Sequence, residues 1–243
     1  AFNTVHKNVL KFFDSEYWVL KHCDKIDFLS KGLIKETERI IGHINKKRIL
    51  VTPNSFITYK NYYASFPKDN AIVFLARMNS TKNPILFLES LLVLSNRFPD
   101  FSTMKFYLIG DGTEKSNIKK FIQENNFKNV HFMGSISTPW EYLQKSKIFI
   151  SIQQKENYPS QSLLEAMACE NAIIASDVGE TRLLVTENEG ILVKLDAEEI
   201  ADAIIKLITN TKLIERLGKN GRIKATSNHT LEKFTEYFIN ITS

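Results

Sequence analysis

The sequence predicts an α/β protein built on a parallel sheet that helices cover on both faces. Two observations carry this prediction. From about residue 70 onward, short apolar runs alternate with amphipathic stretches, which is typical of repeated strand–helix units. The chain has 243 residues, of which 43% are hydrophobic and 24% are charged, so it can bury a core of this kind.

Short apolar runs bounded by turn residues are the predicted strands of one Rossmann-like, doubly wound sheet. They span residues 71–77, 104–110, 129–134, 147–152, 171–176 and 190–195. Apolar residues at helical spacing predict intervening helices over 83–98, 114–126, 139–146 and 162–170. After the last strand, helices are predicted over 197–210, 211–225 and 230–240. In this part of the chain, Gly218 and Gly221 are expected to interrupt or cap a helix.

The first fifty residues follow a different pattern. The predicted elements are a helix over 10–23, a strand over 25–30, a helix over 31–42 and a strand over 48–56. Such a segment is too small to complete a parallel sheet, whose strands need cover on both faces. We therefore expect two parts. Residues 1–67 are the remnant of a preceding domain with its linker, and residues 68–243 form the main domain.

The charge and the cysteines narrow the range of partners. A net charge of +5 and a pI near 9.0 suit an anionic partner, such as a nucleotide diphosphate, an anionic lipid surface or a nucleic acid. The basic stretch at 46–48 lacks the aromatics and glycines of an RNA-binding strand, so no nucleic acid partner is predicted. Cys23 and Cys169 lie outside any Cys/His cluster, so no metal is predicted.

No apolar run has the length of a membrane span and no signal peptide is evident, so a cytoplasmic location is expected.

The strongest chemical pattern is the segment ENYPSQSLLEAMACENAIIASDVGET, which begins at Glu156. A loop carboxylate, Glu156, precedes a turn and a helix whose first turns contain Glu165. This order brings both glutamates to the carboxyl edge of the sheet, where open α/β sheets bind ligands. The free backbone N–H groups at the helix start, near Ser160, suit a phosphate or a polar sugar edge. A surface loop charge is the alternative for Glu156.

A second pattern is the segment LARMNSTKNP, in which Arg77 ends a strand and Lys82 begins the next helix. Two cations at these positions can converge on one diphosphate, with arginine offering a planar fork and lysine a point charge. Two ordinary surface cations are the alternative. The turn IGDGTEKS, with Gly110 and Gly112, lacks the third glycine of a dinucleotide-binding motif, so a tight turn near a ligand is expected there.

These segments resemble the donor site of family 4, group 1, glycosyltransferases of the GT-B fold. The segments EAMAC and ASDVG closely match those of the family, and Ala76 stands where the family has the glycine of its Gly-Arg loop. The resemblance runs from about Lys25 to the C-terminus. It implies that the chain holds the C-terminal, donor-binding domain and the end of the N-terminal domain. The part of the family's N-terminal domain that supplies the acceptor site is expected to be missing.

The resemblance also assigns roles. Glu165 is expected to accept hydrogen bonds from the ribose, Glu156 to lie near the donor sugar, and the cations to neutralise the diphosphate. The segment FMGSIS, with Gly134 and Ser135, matches the one that lies beside the nucleobase. One departure is that eight residues separate the two glutamates, where the family has seven. The residues expected to bind the donor are Glu165, Arg77, Lys82, Gly112, Gly134, Ser135 and Ser160, and those expected in catalysis are Glu156, Arg77 and Lys82.

The implied reaction is a retaining, metal-independent transfer of a sugar to a glycan or lipid-linked acceptor. The donor is a nucleotide-diphosphate sugar, with UDP or GDP expected and no cofactor needed. Peripheral association with the inner face of a membrane fits such an acceptor. A nucleotide-sugar epimerase or phosphorylase of the same architecture is one alternative, and a non-catalytic nucleotide-sugar-binding module is another. An NAD-dependent oxidoreductase is disfavoured because no glycine fingerprint follows the first strand of the main domain.

Overall fold

The computed structural model of the protein describes residues 15–51 and 57–242. The described residues divide into two compact units, with the boundary between residues 53 and 54. Residues 57–67, which the sequence analysis grouped with the first part as a linker, thus belong to the second unit. The assignment of the first part to a preceding domain stays a prediction.

The first unit contains one small parallel pair of strands with two helices. Its elements are α1 (Ser15–His22), β1 (Ile26–Phe28), α2 (Lys31–Ile41) and β2 (Ile49–Val51). Ile26 lies opposite Ile49 in the parallel register, and Phe28 and Ile41 are buried in a small core. The predicted helices and strands of this region are present among the described residues, and β1 covers three of the six positions predicted for it. Positions 10–14 and 52–56 of those predictions lie outside the described residues.

A parallel six-stranded sheet forms the centre of the second unit. Its strands are β3 (Ala71–Leu75), β4 (Lys105–Ile109), β5 (Val130–Gly134), β6 (Ile148–Ser151), β7 (Ala172–Ser176) and β8 (Gly190–Val193). All neighbouring strands are parallel, in the order β5-β4-β3-β6-β7-β8. Strands covered on both faces are apolar along their whole length, which is why each could be recognised as a short apolar run. The predicted α/β class and its six strands are confirmed.

Helices cover both faces of this sheet, as predicted. The helices of the second unit are α3 (Pro84–Arg97), α4 (Lys115–Glu124), α5 (Trp140–Lys145), α6 (Gln161–Ala168), α7 (Thr181–Leu184), α8 (Ala197–Ile208), α9 (Thr211–Asn228) and α10 (Leu231–Thr242). Ile72 of β3 faces a core formed with α3, α4 and α8, while the adjacent Val73 faces a second core formed with α5, α6 and α9. The single turn α7 was not predicted because four residues carry no helical periodicity.

The expectation that Gly218 and Gly221 interrupt or cap a helix was wrong. Both glycines are buried inside the continuous helix α9, which packs against α6. A Cβ atom at Gly218 would lie 2.4 Å from the carbonyl oxygen of Glu170, and one at Gly221 would lie 3.6 Å from Cγ of Met167. At Gly218, therefore, the missing side chain lets α9 approach the backbone after α6. In a sequence, a glycine needed for close packing looks the same as one needed for a cap.

The strand order reverses between β3 and β6. From β3 the chain adds β4 and β5 on one side, and it then crosses over to add β6, β7 and β8 on the other side. Because all strands are parallel, the loops after β3 and β6 leave the same edge of the sheet and diverge. A crevice of this kind, outside the carboxyl ends of the strands, is where open α/β sheets bind ligands.

Candidate functional site at the switch point of the sheet

The loops after β3 and β6, residues 76–83 and 152–160, are tied together by hydrogen bonds. The backbone N–H of Gln154 donates to the carbonyl oxygen of Thr81 at 2.9 Å. The side-chain amide of Gln154 donates to Oδ1 of Asn83 at 3.0 Å. Asn83 adopts a left-handed conformation, with φ of 54°, and Pro84 then begins α3. The loops that carry Lys82 and Glu156, which belong to two separate motifs, are therefore connected to each other.

Lys82 is half-buried in the loop after β3, and its side chain has a hydrogen-bond partner. Its Nζ donates to Oε1 of Gln153 at 2.6 Å. Burial lowers the pKa of Lys82, and the positive charge of Arg77 lowers it further. Arg77 is therefore near enough to Lys82 for its charge to act on this ammonium. The binding of one diphosphate by both cations stays a prediction. Arg77 itself is exposed at the end of β3.

Glu156 lies on the loop after β6, beside the loop after β7. Its Oε1 is buried and has no hydrogen-bond partner among the described residues. Its side chain lies against Gly179, where an added Cβ would meet Glu156 Cγ at 2.6 Å. A buried carboxylate oxygen without a donor costs free energy unless a ligand or water supplies one. Glu156 is thus held in the site and has acceptor capacity left for a ligand.

Glu165, on the second turn of α6, is largely shielded and has two side-chain partners. The amide of Gln161 donates to Oε1 of Glu165 at 3.3 Å, and the hydroxyl of Tyr62 also hydrogen-bonds to this carboxylate. Burial raises the pKa of Glu165, while these two hydrogen bonds act in the opposite direction. Tyr62 was not predicted, because nothing near it in the sequence marks it as a neighbour of α6. Its ring also makes an edge contact with Trp140, with centroids 6.4 Å apart.

Ser160 is buried and precedes the first residue of α6, as expected. Its hydroxyl does not cap the helix, so the free N–H groups of the first turn have no side-chain acceptor from this residue. The loop that carries Glu156 thus leads into a helix start that its own N-cap residue does not cap. Such a helix start suits a negatively charged ligand group.

The turn after β4 packs directly on the loop after β3. A Cβ at Gly112 would lie 2.3 Å from the carbonyl oxygen of Met78, and one at Gly110 would lie 1.9 Å from that of Ala76. The backbone N–H of Glu114 donates to the Met78 carbonyl at 2.9 Å. The predicted tight turn is present, and close approach of two backbones explains its glycines. The role of Gly112 in binding a ligand stays a prediction.

The loop after β5 continues this edge of the sheet. The carbonyl oxygen of Gly134 accepts a hydrogen bond from the backbone N–H of Gly110 at 2.8 Å. Gly134 has a φ of 66°, and a Cβ there would meet no atom within 4 Å. Ser135 is exposed. Both residues thus lie next to the turn after β4, and their contact with a nucleobase stays a prediction.

Cations stabilise the opposite end of α6. Nζ of Lys68 donates to the carbonyl oxygens of Ser146 and Cys169, at 2.7 Å each, and Arg222 donates to the carbonyl of Ala168. Burial lowers the pKa of Lys68 to about 8. Positive groups at a helix C-terminus are favourable because the carbonyl oxygens there are partly negative. These contacts fix α6, and hence Glu165, against the sheet.

Two further properties concern the described part of the chain only. No group of three or more His, Cys, Asp or Glu side chains in residues 15–51 and 57–242 is arranged to hold a metal ion. Within the same ranges, no helix has the length and apolar character that crossing a membrane requires.

Curated relatives match the chain over much of its length. A poly(ribitol-phosphate) α-N-acetylglucosaminyltransferase of Staphylococcus aureus (strain COL) is 26% identical over 265 residues, which covers 99% of this chain and 52% of that protein. A Campylobacter jejuni α-1,4-N-acetyl-D-galactosaminyltransferase, named for a diNAcBac-PP-undecaprenol-linked substrate, is 25% identical over 190 residues. That match covers 77% of this chain and 51% of the relative. The chain therefore spans about half the length of these curated relatives.

Solved structures show the same fold. Staphylococcus aureus TarM superposes with a TM-score of 0.77 at 22% identity, over 93% of this chain and 45% of that chain. HepE from Anabaena, in complex with UDP and glucose, gives a TM-score of 0.75 at 14% identity, over 90% of this chain and 62% of its own. The C-terminal domain of LpcC from Francisella tularensis, a group 1 family protein, gives 0.64 at 21% identity and is covered over 99% of its length, with 72% of this chain. The fold is that of GT-B glycosyltransferases.

The family model described as glycosyl transferases group 1 matches residues 55–224, which is well over half of the chain. The matched region contains the loops after β3, β4, β5 and β6 together with helix α6. The resemblance recognised in the sequence is thereby confirmed at the level of the group 1 family, and the chain belongs to the group 1 glycosyl transferases.

Proposed function

We propose that the protein is a retaining, metal-independent glycosyltransferase that uses a nucleotide-diphosphate sugar, and that this chain supplies the donor site. The observation that carries the proposal is that the loop with Arg77 and Lys82 is hydrogen-bonded to the loop with Glu156 at the switch point of the sheet. On the second loop, Oε1 of Glu156 is buried and has no hydrogen-bond partner among the described residues. Cations beside a carboxylate suit a ligand with an anionic end and a hydroxyl-bearing end. A nucleotide-diphosphate sugar has both.

Arg77 and Lys82 are the groups that bind the diphosphate in this proposal. Negative charge grows on the diphosphate as the sugar leaves, so cations fixed beside it stabilise the transition state more than the ground state. The half-buried position of Lys82 strengthens this effect, because charges interact more strongly where water is partly excluded. The free N–H groups that follow Ser160 add further donors for the same phosphates.

Glu165 is the acceptor for the ribose hydroxyls. A carboxylate can accept about four hydrogen bonds, and the described partners of Glu165, Gln161 and Tyr62, leave acceptor capacity for a diol. Glu156 lies beside the donor sugar and accepts from its hydroxyls. The acceptor hydroxyl attacks the oxocarbenium-like sugar from the side that the nucleotide leaves, which retains the anomeric configuration, and its proton passes to the departing phosphate.

We infer that UDP is the donor nucleotide, with GDP as the second choice. Support comes from the fold shared with HepE, whose structures hold UDP and UDP-glucose. The names of two curated relatives contain poly(ribitol-phosphate) and an undecaprenol-linked glycan, and they support a glycan or lipid-linked acceptor. Such an acceptor fits peripheral association with the inner face of a membrane. Residues 15–51 would then be the end of an acceptor-side domain.

The test combines nucleotide binding with turnover. UDP is expected to raise the melting temperature of the protein more than GDP or ADP, because a saturating ligand stabilises the fold by a few kcal/mol. Glu165→Ala and Lys82→Ala are each expected to abolish this shift. In the intact enzyme, Lys82→Ala should lower turnover at least about a hundredfold, on the order of 3 kcal/mol. A loss below about tenfold would contradict its role in the transition state. Sugar products formed without an acceptor would favour an epimerase instead.

A further inference from the structure

Gln153 is a buried residue at the centre of the site, yet no motif in the sequence gives it a role. It is the second residue after β6, and only 5% of its surface is exposed. Its Oε1 accepts the hydrogen bond from Nζ of Lys82, at 2.6 Å. A buried polar side chain in contact with a proposed diphosphate-binding lysine is in a position to control that lysine.

The backbone of Gln153 is fixed on both sides. The hydroxyl of Ser176, at the end of β7, accepts from the N–H of Gln153 and donates to its carbonyl oxygen, both at 2.9 Å. The next residue, Gln154, donates from its backbone N–H to Thr81 at 2.9 Å. The side chain of Gln153 therefore leaves a backbone held by β7 on one side and by the loop after β3 on the other.

The chemistry of the partner matters as much as its position. A lysine ammonium has three N–H donors, and Gln153 engages one of them, which leaves two for phosphate oxygens. An amide oxygen is neutral, so it orients the ammonium without cancelling its charge, whereas a carboxylate would compete with the diphosphate. No carboxylate among the described residues forms an ion pair with Lys82. Ordering the flexible lysine before the ligand binds also reduces the entropy cost of binding.

We propose that Gln153 is a positioning residue for the diphosphate: its side-chain carbonyl holds the Lys82 ammonium toward the donor's phosphates and leaves its charge uncompensated. The inference rests on the proposed function, in which Lys82 binds the diphosphate. It predicts that Gln153 affects ligand binding through Lys82 alone. A change at Gln153 should therefore weaken a nucleotide with two phosphates more than one with a single phosphate.

The experiment measures dissociation constants of UDP and UMP by titration calorimetry for the protein and for Gln153→Met and Gln153→Glu. Gln153→Met is expected to weaken UDP about tenfold and UMP less than about twofold, the size of one charge-assisted hydrogen bond. Gln153→Glu should weaken UDP further at pH 7.5, and the loss should diminish as the pH falls and the new carboxylate is protonated. A purely structural role would not produce this pH dependence.

The controls separate the possible outcomes. Gln123→Met makes the same exchange on the exposed side of α4 and should leave both constants unchanged. In a Lys82→Ala background, Gln153→Met should have no further effect on the ratio of the two constants, because both changes remove one interaction. The inference would be overturned if Gln153→Met weakened UDP and UMP equally, or if the effects of the two changes added up in the double variant. Either result counts against Gln153 alone, provided that Lys82→Ala by itself still weakens UDP. If Lys82→Ala leaves the ratio unchanged, the diphosphate role of Lys82 fails as well.

Discussion

Gly179 lies directly against the side chain of Glu156, so that a Cβ atom at Gly179 would come within 2.6 Å of Glu156 Cγ and 2.7 Å of its Cβ. Gly179 also has a φ of 52°, a backbone conformation that glycine adopts without strain. The loop after β7 thus supports the loop after β6, and it does so at the residue expected to contact the donor sugar. Gly179 is therefore required for two reasons: the side chain of Glu156 leaves no room for a Cβ atom, and the positive φ is strained for other residues.

Gly179→Ala is expected to displace Glu156 and to lower sugar transfer at least about tenfold, since a shift on the order of 1 Å at a substrate-positioning group has large kinetic effects. The variant should also lose about 1–2 kcal/mol of unfolding free energy from backbone strain. Steady-state kinetics and chemical denaturation measure the two effects. Gly42→Ala is the control, because Gly42 has a φ of 85° with no atom within 4 Å of an added Cβ. Equal activity in both variants would contradict the positioning of Glu156 by Gly179.

Tyr62→Phe is expected to weaken nucleotide binding by about 1 kcal/mol, or about fivefold, through Glu165. The Tyr62 hydroxyl lowers the pKa of Glu165 by hydrogen bonding, so its removal raises this pKa further. Because UDP binding is proposed to need the ionised carboxylate of Glu165, acidification should abolish binding at a higher pH in Tyr62→Phe than in the unmodified protein. The dissociation constant of UDP as a function of pH measures the shift. Tyr63→Phe changes an exposed neighbour and should leave the profile in place; an unmoved profile in Tyr62→Phe would exclude the link to Glu165.

Glu189→Gln is expected to destabilise the fold in a pH-dependent way. Burial favours a raised pKa for Glu189, but hydrogen bonds from Thr186 and the charge of Lys224 outweigh it and lower the pKa. A lowered pKa contributes stability above the unfolded value, near about 4.3, and this contribution is lost as the pH falls through the folded value. Urea denaturation should show a loss of about 1–3 kcal/mol at pH 7 that shrinks below about pH 4. Glu187→Gln, at an exposed neighbour, should show no such trend, and a constant difference in Glu189→Gln would refute the assignment.

Lys68→Met tests the buried cation behind α6. Because burial lowers the pKa of Lys68 to about 8, the unfolded chain binds more protons than the folded chain between about pH 8 and 10.4. The unfolding free energy of the unmodified protein should therefore gain from this group as the pH rises through that window, by up to about 1.4 kcal/mol per pH unit. Lys68→Met should lack this gain, and Lys145→Met, at an exposed lysine of α5, should keep it. Parallel slopes for all three proteins would contradict the prediction.

The elements of the second unit were predictable because their physical signal is local. Strands such as β7, which is buried along its whole length, appear in a sequence as unbroken apolar runs, and amphipathic helices such as α8 show their period directly. The placement of Arg77 after the first strand of the sheet and of Lys82 just before the following helix was equally predictable, since both positions follow from the local pattern. By contrast, α7 was missed because one helical turn has no period, and Gly218 was misread because a packing glycine has no mark of its own.

By itself the sequence determined the α/β class, the parallel sheet, the group 1 family and the carboxyl edge as the place where its charged residues gather. Each of these depends on neighbours along the chain. The tertiary structure alone decided which residues support the site from a distance. Gln153 lies 71 positions from the lysine it holds, and Tyr62 reaches Glu165 from before the first strand of the sheet. Contacts of this kind form only when the strand order brings distant loops together, and no local pattern of residue types encodes that order.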